Sequence, residues 1–292
     1  MNTNFFRTKK QIIYTVGTIF VLCSIVEYIE FLFVRTDQTI IADNVFTKIF
    51  CIIATLIAMK VNGITIQDIG FKNNNTIKYL GCGLGLGILT FAISYGVEYF
   101  ILLAAGKTPH LEVYITNFGL TGATSQVSLS AMAVVICIVV NIINVIAEEG
   151  LFRGFILKIV SEKFSFNEAN LTQAILFGVW HIVMCVLGVY DGQMTIPAAL
   201  VFGIGYVILA GILGIEWGIC VNMTGVIWMC VAEHFFNNFI GNILHVVSAT
   251  GIDELQIVRI VLSNILSLII VIGISKGKRD IDSNYPGGFQ MR

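Results

Sequence analysis

Eight stretches of this chain are each long and apolar enough to cross a bilayer, and no other feature narrows its possible folds as much. They run approximately over residues 12–34, 45–61, 79–105, 129–149, 171–190, 196–221, 226–249 and 255–275. A spanning helix needs about 20 mostly apolar residues. Backbone amides in hydrocarbon must pair within their own segment, so every stretch is predicted to be helical. The fold class is therefore an all-α integral membrane bundle of about eight helices. Composition agrees, with 57% apolar and 12% charged residues and a mean hydropathy of +0.88. A soluble domain carries about 25% charged residues, so a soluble enzyme and a disordered chain are excluded. A net charge of −1 offers no basic footprint for nucleic acid. The first stretch is expected to be retained: it is long for a signal sequence, holds Glu27 and Glu30, and precedes no small-residue cleavage site.

Lys and Arg distribution sets the expected orientation. All of them except Arg35, Lys48, Lys107 and Arg259 fall at the termini or in alternate loops, Arg153, Lys158 and Lys163 included. Both termini are accordingly predicted to be cytoplasmic, in a multi-pass plasma-membrane protein. Richness in Ile, Asn and Lys suggests a low-GC bacterium. Residues 1–292 read as one polytopic domain with a short cytoplasmic tail over 276–292, the longest loops lying at 106–128 and 62–78. The seven cysteines all lie in predicted spans without metal-like spacing, and read as small buried apolar residues.

Ionisable groups inside spans are costly, and so are the first functional candidates. Three clusters stand out. The first is EEGLFR, residues 148–153, expected at the cytoplasmic end of the fourth span. Glu149 and Arg153 are four apart and can pair on one helix face. Glu148, turned about 100° away, lacks that partner, and Asn144 and Asn141 precede it on its own side. Two adjacent acids of which one has a cation are set up to titrate apart; solvated interfacial acids are the plainer alternative. The second cluster is FGVWH, ending at His181, where a hydrogen-bonded core imidazole is the competing explanation. The third is EHFFNN, in which His234 and Asn238 share a face continued by Asn242 and His245; interhelical hydrogen bonding would explain the latter two. His181 and His234 come out at similar depth, roughly 13–17 Å from the cytoplasmic ends of their spans. A carboxylate base, two imidazoles, a carboxamide and an acid braced by Arg are the parts of an amide hydrolase. With no serine or cysteine nucleophile beside them, attack by water is favoured.

These three motifs, in this order, resemble the CAAX protease and bacteriocin-processing family of intramembrane peptidases, which includes the type II CAAX prenyl endopeptidases. Its pattern of E-E-x-x-x-R, F-x-x-x-H and H-x-x-x-N is met at 148–153, 177–181 and 234–238. Residues 63–72, GITIQDIGFK, look like its short amphipathic stretch. The resemblance implies a protease core over about 129–250 and a cavity between helices open to the cytoplasm. It implies Glu148 as the base that activates water, His181 as a holder of that water, Glu149 with Arg153 as a brace, and His234 with Asn238 as the oxyanion hole. Some members are described as metalloproteases, and zinc could then sit on Glu148, His181 and His234. The sequence has no HExxH pair, and a metal-free glutamate mechanism is preferred. The implied substrate is a short hydrophobic or amphipathic peptide, such as a bacteriocin or signalling-peptide precursor, approaching from the cytoplasmic face, with a membrane kinase or peptide exporter as a further partner.

Two other readings stand beside this one. A catalytically silent immunity or regulatory scaffold could use the same fold. A secondary transporter would also place ionisable groups at mid-membrane on broken, glycine-rich helices, and the third and sixth spans are glycine-rich. No inverted repeat of the charged motifs supports transport. Glu27, Glu30, Glu98 and Glu216 have no partner assignable from sequence.

Overall fold

The computed structural model describes residues 7–39, 41, 43–116, 126–127, 130–249, 251 and 253–284. Its main helices are α1 (Lys9–Val34), α2 (Val45–Asn62), α3 (Thr76–Ala104), α4 (Ala131–Val160), α5 (Phe166–Tyr190), α6 (Ile196–Thr224), α7 (Trp228–Ile243) and α8 (Gln256–Asn284). All of them except α7 are long and apolar enough to cross a membrane. Exposed Ile, Leu, Val and Phe side chains cover their outward faces, the surface expected of a protein solvated by lipid.

Three expectations about element boundaries need correction. The span predicted over 226–249 is a shorter helix, because its last residues leave the helix as a strand, β4 (Leu244–Val247). That strand pairs antiparallel with β1 (His110–Val113), placing His110 opposite Val247. A second small ladder joins β2 (Ile115–Thr116) to β3 (Gln126–Val127); parts of the predicted 106–128 loop lie outside the described residues. The fourth span does not end at Glu149 but runs on to Val160. The tail expected from 276 continues as helix to Asn284, and residues 285–292 lie outside the described residues.

The chain alternates between two faces. One carries the start of α1 and the turns 63–75, 161–165 and 225–227; Arg7 there reaches Glu162 at 2.7 Å and also holds Asn62. This basic face is closed by the 63–72 segment, whose Ile64 and Ile69 are buried while Gln67 and Asp68 are exposed. Gly70, at φ +92°, lets the turn press on the start of α7, where Ile227 N donates to its carbonyl at 3.1 Å. The opposite face carries the β1 and β4 ladder, residues 35–39 and 43–44, and residues 191–195. There Arg35 binds Asp37 and Asp191, the latter at 2.7 Å, and Lys107 binds Glu254.

The glycine-rich α3 and α6 are continuous helices, so broken transporter-type helices are not what those glycines serve. A Cβ on Gly83 would overlap Met229 O of α7. Glycine there lets two backbones meet, as small residues do between membrane helices. All seven cysteines are free; most are buried, Cys82 is exposed and Cys137 partly so.

Candidate active site

The extension of α4 is what puts the first motif inside the bundle. Glu148 lies near the middle of Ala131–Val160 instead of at a membrane edge, and Arg153 is buried, with no part in a loop. Immediately after Glu149 the helix widens into a π-helical run, Gly150–Ile156. Such wide turns are rare, and they mark functional sites more often than chance. In α5 the helix breaks at His181, which ends the first half (Phe166–Trp180) and starts the second (Ile182–Tyr190).

All six residues singled out from sequence converge. Glu149 is wholly buried and accepts from His234 Nδ1 at 2.8 Å, while Arg153 Nε lies 3.2 Å from its other oxygen. The Arg153 guanidinium is held chiefly by aromatic faces, 3.8 Å from the Phe177 centroid and 4.6 Å from that of Trp217. Desolvated contacts of this kind are worth about 2 kcal/mol or more. His234 stacks on Trp217, with ring centres 4.3 Å apart, and its Nε2 lies 3.7 Å from Glu148 Oε2. His181 donates Nδ1–H to the Phe177 carbonyl at 2.8 Å and stacks on Tyr206. That bond leaves Nε2 as the ring's acceptor. Asn238 follows His234 by one turn.

Glu148, His181, His234 and Asn238 all line one cavity of about 830 Å³. This is within the range of about 300–1,000 Å³ typical of ligand sites. Glu149 and Arg153 lie behind it. Asn141, Asn144, Asn237, Asn242 and Asn264 add a row of carboxamides to its wall. Asn144 Oδ1, Asn242 Oδ1 and Asn264 Nδ2 are buried without a hydrogen-bond partner. His245 does not continue the stripe into the cavity; it belongs to β4, where it binds Asp253 and stacks on Tyr114.

Sequence reasoning missed one member of the site. Glu148 has its own cation: Lys48 Nζ sits 2.6 Å from Oε1, which also accepts from Trp180 Nε1 at 3.2 Å. Lys48 and Glu148 are each about 4% exposed or less, and the ammonium also lies over the Trp180 ring. The expectation that only Glu149 has a basic partner is thus overturned. Lys48 comes from the first turns of α2, and its distance of a hundred residues from Glu148 leaves no spacing rule to link them. The only available signal was a lysine inside an apolar span.

The acids left unexplained by sequence now have partners. Glu30 caps the start of α2 by accepting from Phe46 N at 3.1 Å and from Thr47 N. Glu27 faces Asn44 and the cavity. Glu98 binds Arg259. Ser267 bridges Glu216 and Glu233.

The proposed zinc ligands do not fit a metal as they are arranged. Among the described residues, no group of three His, Cys, Asp or Glu side chains is disposed to hold one.

Residues 130–240 match the family model described as Type II CAAX prenyl endopeptidase Rce1-like. All three motifs lie in this segment, and the match is consistent with the CAAX protease and bacteriocin-processing family. It supports an intramembrane CAAX-type endopeptidase in general and, with the apolar helices, a multi-pass membrane protein. No curated protein sequence matches the chain.

Proposed function

We propose that this chain, whose residues 130–240 match the family model described as Type II CAAX prenyl endopeptidase Rce1-like, is an intramembrane peptidase in which Glu148 activates water. The observation that carries this reading is the split environment of the two adjacent glutamates. Glu149 is committed to Arg153 and His234. Glu148 has one oxygen on Lys48 and the other, Oε2, without a hydrogen bond, facing His234 Nε2 across 3.7 Å.

A water held between Glu148 Oε2 and the acceptor Nε2 of His181 would lose its proton to Glu148 as it attacks a peptide carbonyl. The developing oxyanion would be met by the Asn238 amide and by His234, which Glu149 orients from the far side of the ring. Glu148 would then pass its proton to the departing amine, so that each turnover consumes one water and returns the site unchanged. Lys48 and Arg153 act as fixed countercharges: a buried carboxylate without a partner is strongly disfavoured. General-base action is worth about 10²–10⁴-fold in rate, and one oxyanion donor about 10²–10³-fold. The substrate class that suits an apolar-walled, carboxamide-lined cavity is a short hydrophobic or amphipathic peptide, its main-chain amides paired by the asparagine row.

The test is to incubate the protein in proteoliposomes with a library of such peptides in H₂¹⁸O and follow products and enzyme by mass spectrometry. Direct water attack places one ¹⁸O in the new carboxyl terminus and adds no mass to the enzyme. An acyl adduct on the protein would contradict the water mechanism, and absence of cleavage across the library would contradict the peptidase reading.

A further inference from the structure

Among the described residues, five carboxylates line the cavity, Glu27, Asp37, Asp43, Glu148 and Asp191, against two permanent cations, Arg35 and Lys48. Both cations are committed. Arg35 binds Asp37 and Asp191, and Lys48 binds Glu148. Glu27 and Asp43 are left over, and among the described residues neither forms an ion pair.

The way α1 meets α2 creates this corner. Glu30 accepts from the first amides of α2, which pins the start of that helix against the end of α1. Glu27, about one turn before Glu30, is thereby brought to Asn44. Its Oε1 lies 3.5 Å from Asn44 Nδ2, the limit of a hydrogen bond, and its Oε2 has no hydrogen-bond partner. Yet the residue is only 2% exposed. Asp43 accepts from Asn44 N at 2.7 Å. A buried carboxylate with neither a cation nor a full set of donors is costly. Lys48 does not relieve it, because its ammonium sits 2.6 Å from Glu148 and the two charges cancel where they meet. The corner therefore stays acidic.

Beside these acids the wall turns apolar. Phe31, one turn on from Glu27, packs with Val183, Leu187 and Met184, and all four line the cavity. Long basic side chains lay their aliphatic stems along such a surface while the charged head finds its acceptor. Among the described residues no three His, Cys, Asp or Glu are disposed to hold a metal ion, which favours an organic cation as the occupant.

We propose that this corner is a specificity subsite in which Glu27 and Asp43 bind a Lys or Arg side chain of the peptide substrate, with its stem along Phe31 and Leu187. The proposal rests on the peptidase reading of the cavity and narrows its substrate class to peptides that carry a basic residue. Such a head group supplies the countercharge that the two acids lack, in charge-assisted hydrogen bonds.

The experiment uses the full-length protein in proteoliposomes of zwitterionic lipid, so that the membrane surface does not concentrate basic peptides. A single Lys is moved through an otherwise uncharged hydrophobic peptide, and each member is paired with its norleucine counterpart. Cleavage and affinity are both measured. The expected result is one position at which Lys is preferred over norleucine by at least about 30-fold, the lower end for a desolvated charge pair. Arg is expected to be preferred over citrulline at the same position. In Glu27→Gln the ratio falls towards one, and in Asp43→Asn it falls in part. Equal kcat/KM and equal affinity for Lys and norleucine at every position overturn the proposal. A Lys preference that survives both substitutions also overturns it. Where Glu27→Gln does not fold, Asp43→Asn, at a partly exposed position, decides: an unchanged preference overturns the subsite. The affinity ratio needs no catalysis, so the two readings separate. Preferential binding of Lys peptides without cleavage contradicts the peptidase and keeps the subsite, and cleavage without a Lys preference does the opposite.

Discussion

Lys48 shows how much of this site depends on a single side chain that carries no motif. Removing one partner of a buried ion pair typically costs about 3–5 kcal/mol, because the other charge is left stranded. Lys48→Met is therefore expected to lower both stability and kcat, the latter by about 10²-fold if Glu148 loses its ionised state, with KM little changed. Lys48→Arg should recover part of the rate. A thermal melt of Lys48→Met combined with Glu148→Gln should show stability returning, since no charge then remains unpaired. A double variant no more stable than Lys48→Met would contradict the pairing. Arg153 poses a different case. Its planar guanidinium lies against Phe177 and Trp217, a contact that lysine does not reproduce. Arg153→Lys is expected to lose at least about tenfold in kcat/KM despite keeping the charge, and near wild-type kinetics would show that charge alone is needed. At this scale the sequence was legible where residues sit at helical spacing. Glu149 with Arg153, and His234 with Asn238, were found because a helix relates positions four apart. Lys48 and the aromatic cage were not, because they come together only through packing of separate helices.

At the level of elements, the chief departure from the sequence reading is where helices end. Arg153 suggested a cytoplasmic edge for α4, since a lone cation in an apolar run reads as a boundary. The aromatic faces and Glu149 that allow it inside lie on other turns and helices. The 226–249 span looked uniform because β4 residues such as Val246 and Val247 are as apolar as helix residues, and pairing with β1 was invisible locally. Backbone contacts between helices yield a sharp prediction. Gly83→Ala forces α3 away from Met229 of α7, and overpacking of this kind costs about 1–3 kcal/mol. Gly85, with nothing within 4 Å of its would-be Cβ, should tolerate alanine or gain up to about 1 kcal/mol. Melting temperatures of the two variants in one detergent check this, and equal behaviour would contradict the packing. Asp253, in the turn before α8, supplies a pH signature. Burial pushes its carboxyl up, but His245 and Arg259 outweigh that and hold it below the usual carboxylate range. Its stabilising effect is complete above the ordinary value of about 3.9 and is lost as pH falls through the lower folded-state value. Acidification from about pH 5 to about pH 3 should therefore lower the melting temperature of the wild type more than that of Asp253→Asn. Parallel decline in the two proteins would assign no such role to Asp253.

For the molecule as a whole, the membrane class, the helical bundle and the resemblance to the type II CAAX prenyl endopeptidase family were legible from apolar length and from three motifs in order. Each expresses a constraint that acts along the chain. The cavity's lining was not legible, because it depends on which side chains of separate helices packing brings around Glu148 and His234. The central claim remains chemical: one carboxylate, paired with a lysine and backed by a braced histidine, activates water inside the bundle. The most direct test is peptide hydrolysis in proteoliposomes by the wild type and by Glu148→Gln at matched folding, each with and without a metal chelator. The account expects Glu148→Gln to lose about 10²–10⁴-fold in kcat and the wild type to be indifferent to chelation. Hydrolysis that survives Glu148→Gln, or that chelator abolishes and zinc restores, would contradict it.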